Sequence, residues 1–256
     1  MRDQTEPVSV EVRHGSARRP QTIGVILLNS VHSVDTLDLE DPFAWEPPPG
    51  LAPGFFGHPR AWPLPALFAV AEGASAAAAA CADPEAMAGV IRAAHRLDGR
   101  CDLIVGGCGF FAYAWEQITT PPATPMLLSG LDLLGVALRA TSSDVAVLSF
   151  GEDSCRRFLD RHADRDRLRP VGLTPAGDWP KVGVPTYATA PTWTLDGLRD
   201  GLREVLAAET APGGTLDGIG AVVVECTVVP MFRDVLREYL TVPIFDASTA
   251  ALALLA

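Results

Sequence analysis

Short apolar runs alternating with helix-forming stretches recur along this chain from Thr22 to its end, and that alternation leaves few folds open. The runs are TIGVILL (Thr22 to Leu28), ALFAVAEG (Ala66 to Gly73), DLIVGG (Asp102 to Gly107), PMLLS, DVAVLSF (Asp144 to Phe150), a weaker one at Leu168 to Leu173, GAVVVE (Gly220 to Glu225) and VPIFD. Continuous apolar strands are buried on both faces, as in a parallel sheet covered by helices. Helical patterns fall between them: Ala74 to Arg96 with a break at Asp83-Pro84, Phe110 to Ile118, LDLLGVALRA, Ser154 to His162, Thr194 to Glu209 with Thr194 as N-cap, Met231 to Leu240, and an apolar stretch from Ser248 to Ala256. The rhythm predicts an α/β protein of two pseudo-symmetric lobes, each a mostly parallel sheet flanked by helices, with the active site in the cleft between them. Residues 1–21 are expected to be a flexible tail, 22–137 with 241–256 the first lobe, and 138–240 the second. A long segment from Asn29 to Pro65 holds eight prolines and the aromatics Phe43, Trp45, Phe55, Phe56 and Trp62, and is expected to form a packed lid.

Composition narrows the chemistry. A formal charge of −11 over 256 residues repels phosphate backbones and anionic lipid, so neither nucleic acid nor a membrane is expected as a partner. No stretch approaches the roughly 18 to 20 apolar residues that span a bilayer, and the polar start lacks the apolar core of a signal peptide, which predicts a cytoplasmic protein. The only lysine is Lys181, in a turn-like stretch poorly suited to a pyridoxal Schiff base. Cys81, Cys101, Cys108, Cys155 and Cys226 are expected to be free thiols, and no motif with zinc-ligand spacing occurs. No cofactor is expected.

The two halves rhyme at DLIVGG-Cys108 and AVVVE-Cys226, where a cysteine directly follows a buried strand and precedes a helix. In open α/β folds this strand end is where ligands bind, because helix N-termini converge there. The same position is expected to lower a thiol's pKa toward neutrality. Two opposed thiols can take a proton from one face of a carbon acid and return one to the other, inverting configuration without a cofactor. The remaining cysteines read as small core hydrophobes. Gly107 to Ala112 also fits GxGxxA, but it sits on the third strand with bulky phenylalanines at the turn, and a hydrolase with His58 or His95 as base has no supporting signature. Glu72 and Glu225 lie at strand ends, and strand alternation predicts that Glu225 points away from Cys226.

AEGA (Ala71 to Ala74), GGCGFF in the first half and VECTVVP in the second together resemble the aspartate/glutamate racemase superfamily, over nearly the whole chain after residue 21. That resemblance implies two pseudo-symmetric α/β lobes and a cofactor-independent mechanism with Cys108 and Cys226 as the catalytic acid/base pair. It carries Asn29, Ser30, Ser149 and Thr227 over as residues holding substrate oxygens. Gly109, Phe110 and Val228 complete the expected substrate-binding set, but they depart from the family: Gly109-Phe110 replace Asn-Thr after the first cysteine, Val228 replaces histidine after the second Cys-Thr, and Asn29 replaces aspartate. The departures, with the aromatic lid, resemble the hydantoin-racemase-like branch and imply a bulkier, less polar carboxylate or a cyclic imide. The expected activity is racemisation or epimerisation alpha to a carboxylate or imide carbonyl. A decarboxylase or cis-trans isomerase using one cysteine, and a non-catalytic carboxylate-binding module, are the alternatives. A homodimer is the default expectation.

Overall fold

A computed structural model describes residues 20–29, 51–174, 176–182 and 193–256. It contains two four-stranded, wholly parallel sheets. The first is built from β1 (Ile23–Leu28), β2 (Ala66–Ala71), β3 (Leu103–Gly106) and β4 (Met126–Leu127) in the order β2-β1-β3-β4. The second uses β5 (Val145–Ser149), β6 (Leu168–Gly172), β7 (Ala221–Val224) and β8 (Ile244–Asp246) in the order β6-β5-β7-β8. The second order is the first shifted by four strands, so the lobes share one topology, as the sequence rhyme predicts.

Helices cover both faces of each sheet. The Ala-rich stretch does break where expected, into α1 (Ala76–Ala80) and α2 (Pro84–Leu97); the Asp83 carboxylate accepts from the N–H groups of Glu85 and Ala86 while Pro84 occupies the first helical position. Met87, Val90 and Ala94 on α2 pack with Ile26, Leu67, Ala69 and Ile104 on one face of the first sheet. The opposite face, Val25, Leu27, Phe68 and Val105, lies under Phe56 and Trp62 and under Ala247, Ala251 and Leu255 at α8 (Ala247–Leu254). In the second lobe, α3 (Leu134–Ala140) and α4 (Glu152–Leu159) cover Val145, Val147, Ala221 and Val223. On its other face, α5 (Trp179–Val182), α6 (Leu195–Glu209) and α7 (Arg233–Tyr239) cover Ala146, Leu148, Val222 and Val224. Thr194 caps α6 through Gly197 N–H, as expected from its position.

Each lobe's last strand hands its helix to the other lobe. The stretch 241–256, expected whole in the first lobe, divides: β8 pairs with β7 in the second sheet, while α8 packs beneath the first. Likewise α3 follows β4 of the first sheet and packs on the second. This reciprocal exchange joins the lobes through buried apolar surface. The described part of the proline-rich segment is packed: Trp62 donates its indole N–H to Phe56 O at 3.0 Å, and Phe55 stacks on Trp193 at 5.3 Å between ring centroids. Phe43, Trp45 and nearly all of the expected tail lie outside the described residues. No helix among the described residues is long and apolar enough to cross a membrane.

Candidate functional site

The C-terminal ends of β3 and β7, the central pair of equivalent strands, carry Cys108 and Cys226. Cys108 is the N-cap of a 3₁₀ helix, Gly109–Glu116, where the sequence pattern predicts an α-helix; a second 3₁₀ helix, Val229–Phe232, follows Cys226. Cys108 belongs to the core of the first lobe and Cys226 to that of the second, at 9% and 7% exposure. Charge on Cys226 is among the causes that raise the Cys108 thiol, and the Glu225 charge acts on both. The strand ends are also tied directly: Thr227 Oγ1 donates to Gly107 O at 3.0 Å.

The expected fall in thiol pKa is reversed. Burial pushes both thiols up, Cys226 to about 12 and Cys108 further, with the Glu225 charge adding to each. Backbone N–H groups do act in the expected direction, from Phe110 and Phe111 on Cys108 and from Val228 and Val229 on Cys226, but desolvation outweighs them. A 3₁₀ turn of four or eight residues offers only local N–H groups and little aligned dipole, so the pull of the helix terminus on these thiols is weak.

Glu225 is the residue that strand alternation misplaces. It is 2% exposed, and its Oε2 accepts from Ser149 Oγ at 2.7 Å and from Phe150 N–H at 3.3 Å. Strand β7 ends at Val224, so the two-residue alternation no longer governs Glu225 and Cys226. Burial raises the Glu225 carboxyl from 4.5 to about 7, its two donors opposing the rise. A signal was present in the sequence, an acidic residue ending the most β-branched run, but its partners come from β5, far away in the chain.

Asn29 is half-buried just past β1, its N–H bound to Ala74 O at 3.0 Å; Ser30 lies outside the described residues. Thr227 and Val228 flank Cys226, Thr227 half-buried and Val228 in the second lobe's core. Phe110 is packed in the first lobe's core beside Tyr113, at 6.4 Å between ring centroids. Ser149 is wholly buried with its hydroxyl directed to Glu225. Gly109 is a close-approach glycine: a Cβ there would stand 2.1 Å from Glu225 Oε1 and 2.4 Å from Glu225 O. Gly109→Ala is therefore expected to force the lobes apart at the site and cost about 1–3 kcal/mol, read as a lower urea midpoint.

Cys81 is exposed, while Cys101 and Cys155 are buried; all are free thiols. Cys155 is hydrogen-bonded to the Ser149 side chain and is itself pushed up by burial and by Glu225. Among the described residues no group of three or more His, Cys, Asp or Glu side chains is placed to hold a metal ion.

No family model matches the chain. Dimethylsulfoniopropionate lyase 6 and dimethylsulfoniopropionate lyase 3 of Emiliania huxleyi (strain CCMP1516) are each 28% identical to it over 162 residues, covering 60% of this chain and 41% of the relative. The chain thus spans about two fifths of the length of the curated relatives it matches. Among solved structures, an aspartate racemase homologue from Pyrococcus horikoshii OT3 is 14% identical, with a TM-score of 0.40 and coverage of 89% of this chain and 94% of that one.

Proposed function

We propose that this chain is a cofactor-independent racemase or epimerase of the aspartate/glutamate racemase superfamily, acting alpha to a carboxylate or imide carbonyl with Cys108 and Cys226 as its acid/base pair. The observation that carries the reading is the placement of Cys108 and Cys226 at equivalent strand ends of topologically identical lobes, ends that the Thr227–Gly107 hydrogen bond ties together. In one direction a Cys108 thiolate takes the α-proton, the electron pair moves into the adjacent carbonyl, and the Cys226 thiol returns a proton to the opposite face. The reverse reaction exchanges the roles, and one thiol and one thiolate remain after each turnover.

The raised thiol pKa values suit this chemistry. A thiolate whose conjugate acid titrates near 12 is a stronger base than an ordinary one, which narrows the gap to a weak carbon acid while reducing the thiolate fraction. Among the described residues no cation is among the groups shifting either sulfur, so the N–H groups of Phe110 and Val228, released when the adjacent sulfur is protonated, are assigned to the substrate's developing oxyanion. The packed Phe110 and the aliphatic Val228 favour a less polar carboxylate or a cyclic imide over an α-amino diacid, which is the reading of the hydantoin-racemase-like branch.

A second reading is a lyase, favoured by the two curated relatives. It shares the first step, abstraction of the α-proton by a thiolate, and then expels a leaving group from the β-carbon instead of accepting a proton. Incubation of single enantiomers of chiral carboxylates and hydantoins, and of carboxylates that carry a leaving group on the β-carbon, in D₂O, followed by proton NMR and polarimetry, separates the two. The racemase reading predicts falling optical rotation with one deuterium at the inverted centre; an alkene with a released fragment supports the lyase; no exchange with any substrate class overturns both.

A further inference from the structure

Glu225 is the buried charged group that the proton transfers above leave without a task. Its carboxyl is enclosed by the ends of β5 and β7 and by Gly109, the residue after Cys108. The titratable groups acted on by it are Cys108 and Cys226 from the two strand ends and Cys155 from α4. Only Ser149 Oγ–H and Phe150 N–H oppose its desolvation, and both are neutral donors. The charged neighbours of Cys155, Arg156 and Glu152, pair with each other on the exposed side of α4.

We propose that Glu225 is a charge-setting residue of the thiol pair: enclosed next to Cys226 and against Gly109, the residue after Cys108, with Ser149 and Phe150 as neutral donors, its carboxylate holds Cys108 and Cys226 as thiols, and uptake of one proton there frees either thiol to ionise. The proposal rests on the two cysteines being the working groups of the site. In a desolvated enclosure a thiolate next to an ionised carboxylate places two like charges together, whereas a thiolate next to a carboxylic acid leaves one. The site therefore loses its first proton as a unit, and the small share of that state carrying the charge on sulfur is independent of pH once the state is fully populated. Glu225 acts through the thiols and is a positioning residue for their charge.

The experiment is alkylation by iodoacetamide, resolved peptide by peptide by mass spectrometry, in a Cys81→Ser background that removes the exposed thiol. In the otherwise native protein the rate at Cys108 and Cys226 should climb about tenfold per pH unit up to about pH 7 and then flatten. With Glu225→Gln, which keeps an acceptor for Ser149, the climb should continue unbroken, so that at pH 8 the variant reacts about tenfold faster. Ser149→Ala, which removes a donor to the carboxylate, should move the flattening to higher pH. Cys155, fully buried, reports general opening and should label far more slowly. An unbroken climb through pH 9 in the native protein, or one common rate at Cys108, Cys226 and Cys155, overturns the proposal. Turnover is not read, so a flattened profile in a protein that racemises nothing would reject the two-base chemistry and leave the role of Glu225 standing.

Discussion

Cys108→Ala and Cys226→Ala are each expected to lower racemisation by at least about a thousandfold, the scale of losing a positioned proton donor or acceptor. The double variant should be little worse than either single one, because the thiols act in one reaction and their contributions do not add. Cys81→Ser should leave turnover unchanged, since that thiol is exposed at the end of α1. Each catalytic variant should retain the native melting transition to within a few degrees, because each thiol sits at the edge of a core that extends well beyond it. Polarimetry with each enantiomer and a melting curve check both halves of the expectation. Native-like turnover in either single variant would remove that cysteine from the mechanism.

The second large effect concerns stability. Glu225 titrates near 4.5 in the unfolded chain and near 7 in the fold, so between those pH values the folded protein holds a proton that the unfolded chain has lost. Stability then falls as pH rises through this window, by about 1.4 kcal/mol per unit and about 3 kcal/mol in all. Asp132, raised by burial from 3.8 to about 6 although Trp115, Leu128 and Ser129 donate to it, acts in the same direction over a lower range. Asp98, Asp178, Asp234 and Glu238 act oppositely: their hydrogen bonds lower them, and their contribution is lost as pH falls below the ordinary carboxylate range. Stability should therefore decline from about pH 5 to pH 7. Glu225→Gln should flatten that decline and be about 3 kcal/mol more stable than the native chain at pH 8, measured by urea unfolding at pH 5, 6.5 and 8. Equal slopes in the two proteins would show that Glu225 does not carry that cost.

The elements that the sequence made legible are those whose cause is local. TIGVILL and AVVV declare buried strands because both faces of a central parallel strand must be apolar, and Asp83-Pro84 declares a helix start because capping and the missing N–H act within one turn. The equivalence of Cys108 and Cys226 was legible for the same reason, since each follows its own strand. What escaped depends on distant partners. VPIFD reads as a strand, but nothing within it says that β8 joins the second sheet while the helix after it returns to the first. Eight residues after Cys108 cannot separate a period of 3.0 from one of 3.6, so the 3₁₀ geometry was hidden. The direction of the thiol shifts was hidden as well, because local N–H groups are visible in the chain and the surrounding burial is not. Glu225 combines both failures, its strand ending one residue earlier than its apolar run suggests and its donors coming from β5.

Treatment with one equivalent of a short bifunctional thiol reagent such as 1,3-dibromoacetone, in the Cys81→Ser protein, probes the site without requiring its substrate. If both sulfurs open onto one small pocket, the digest will contain a single species joining the peptides of Cys108 and Cys226, with the mass of one three-carbon bridge. Separate attachment at the two cysteines, with no joined peptide, would place the thiols in different environments and contradict an acid and a base facing one carbon.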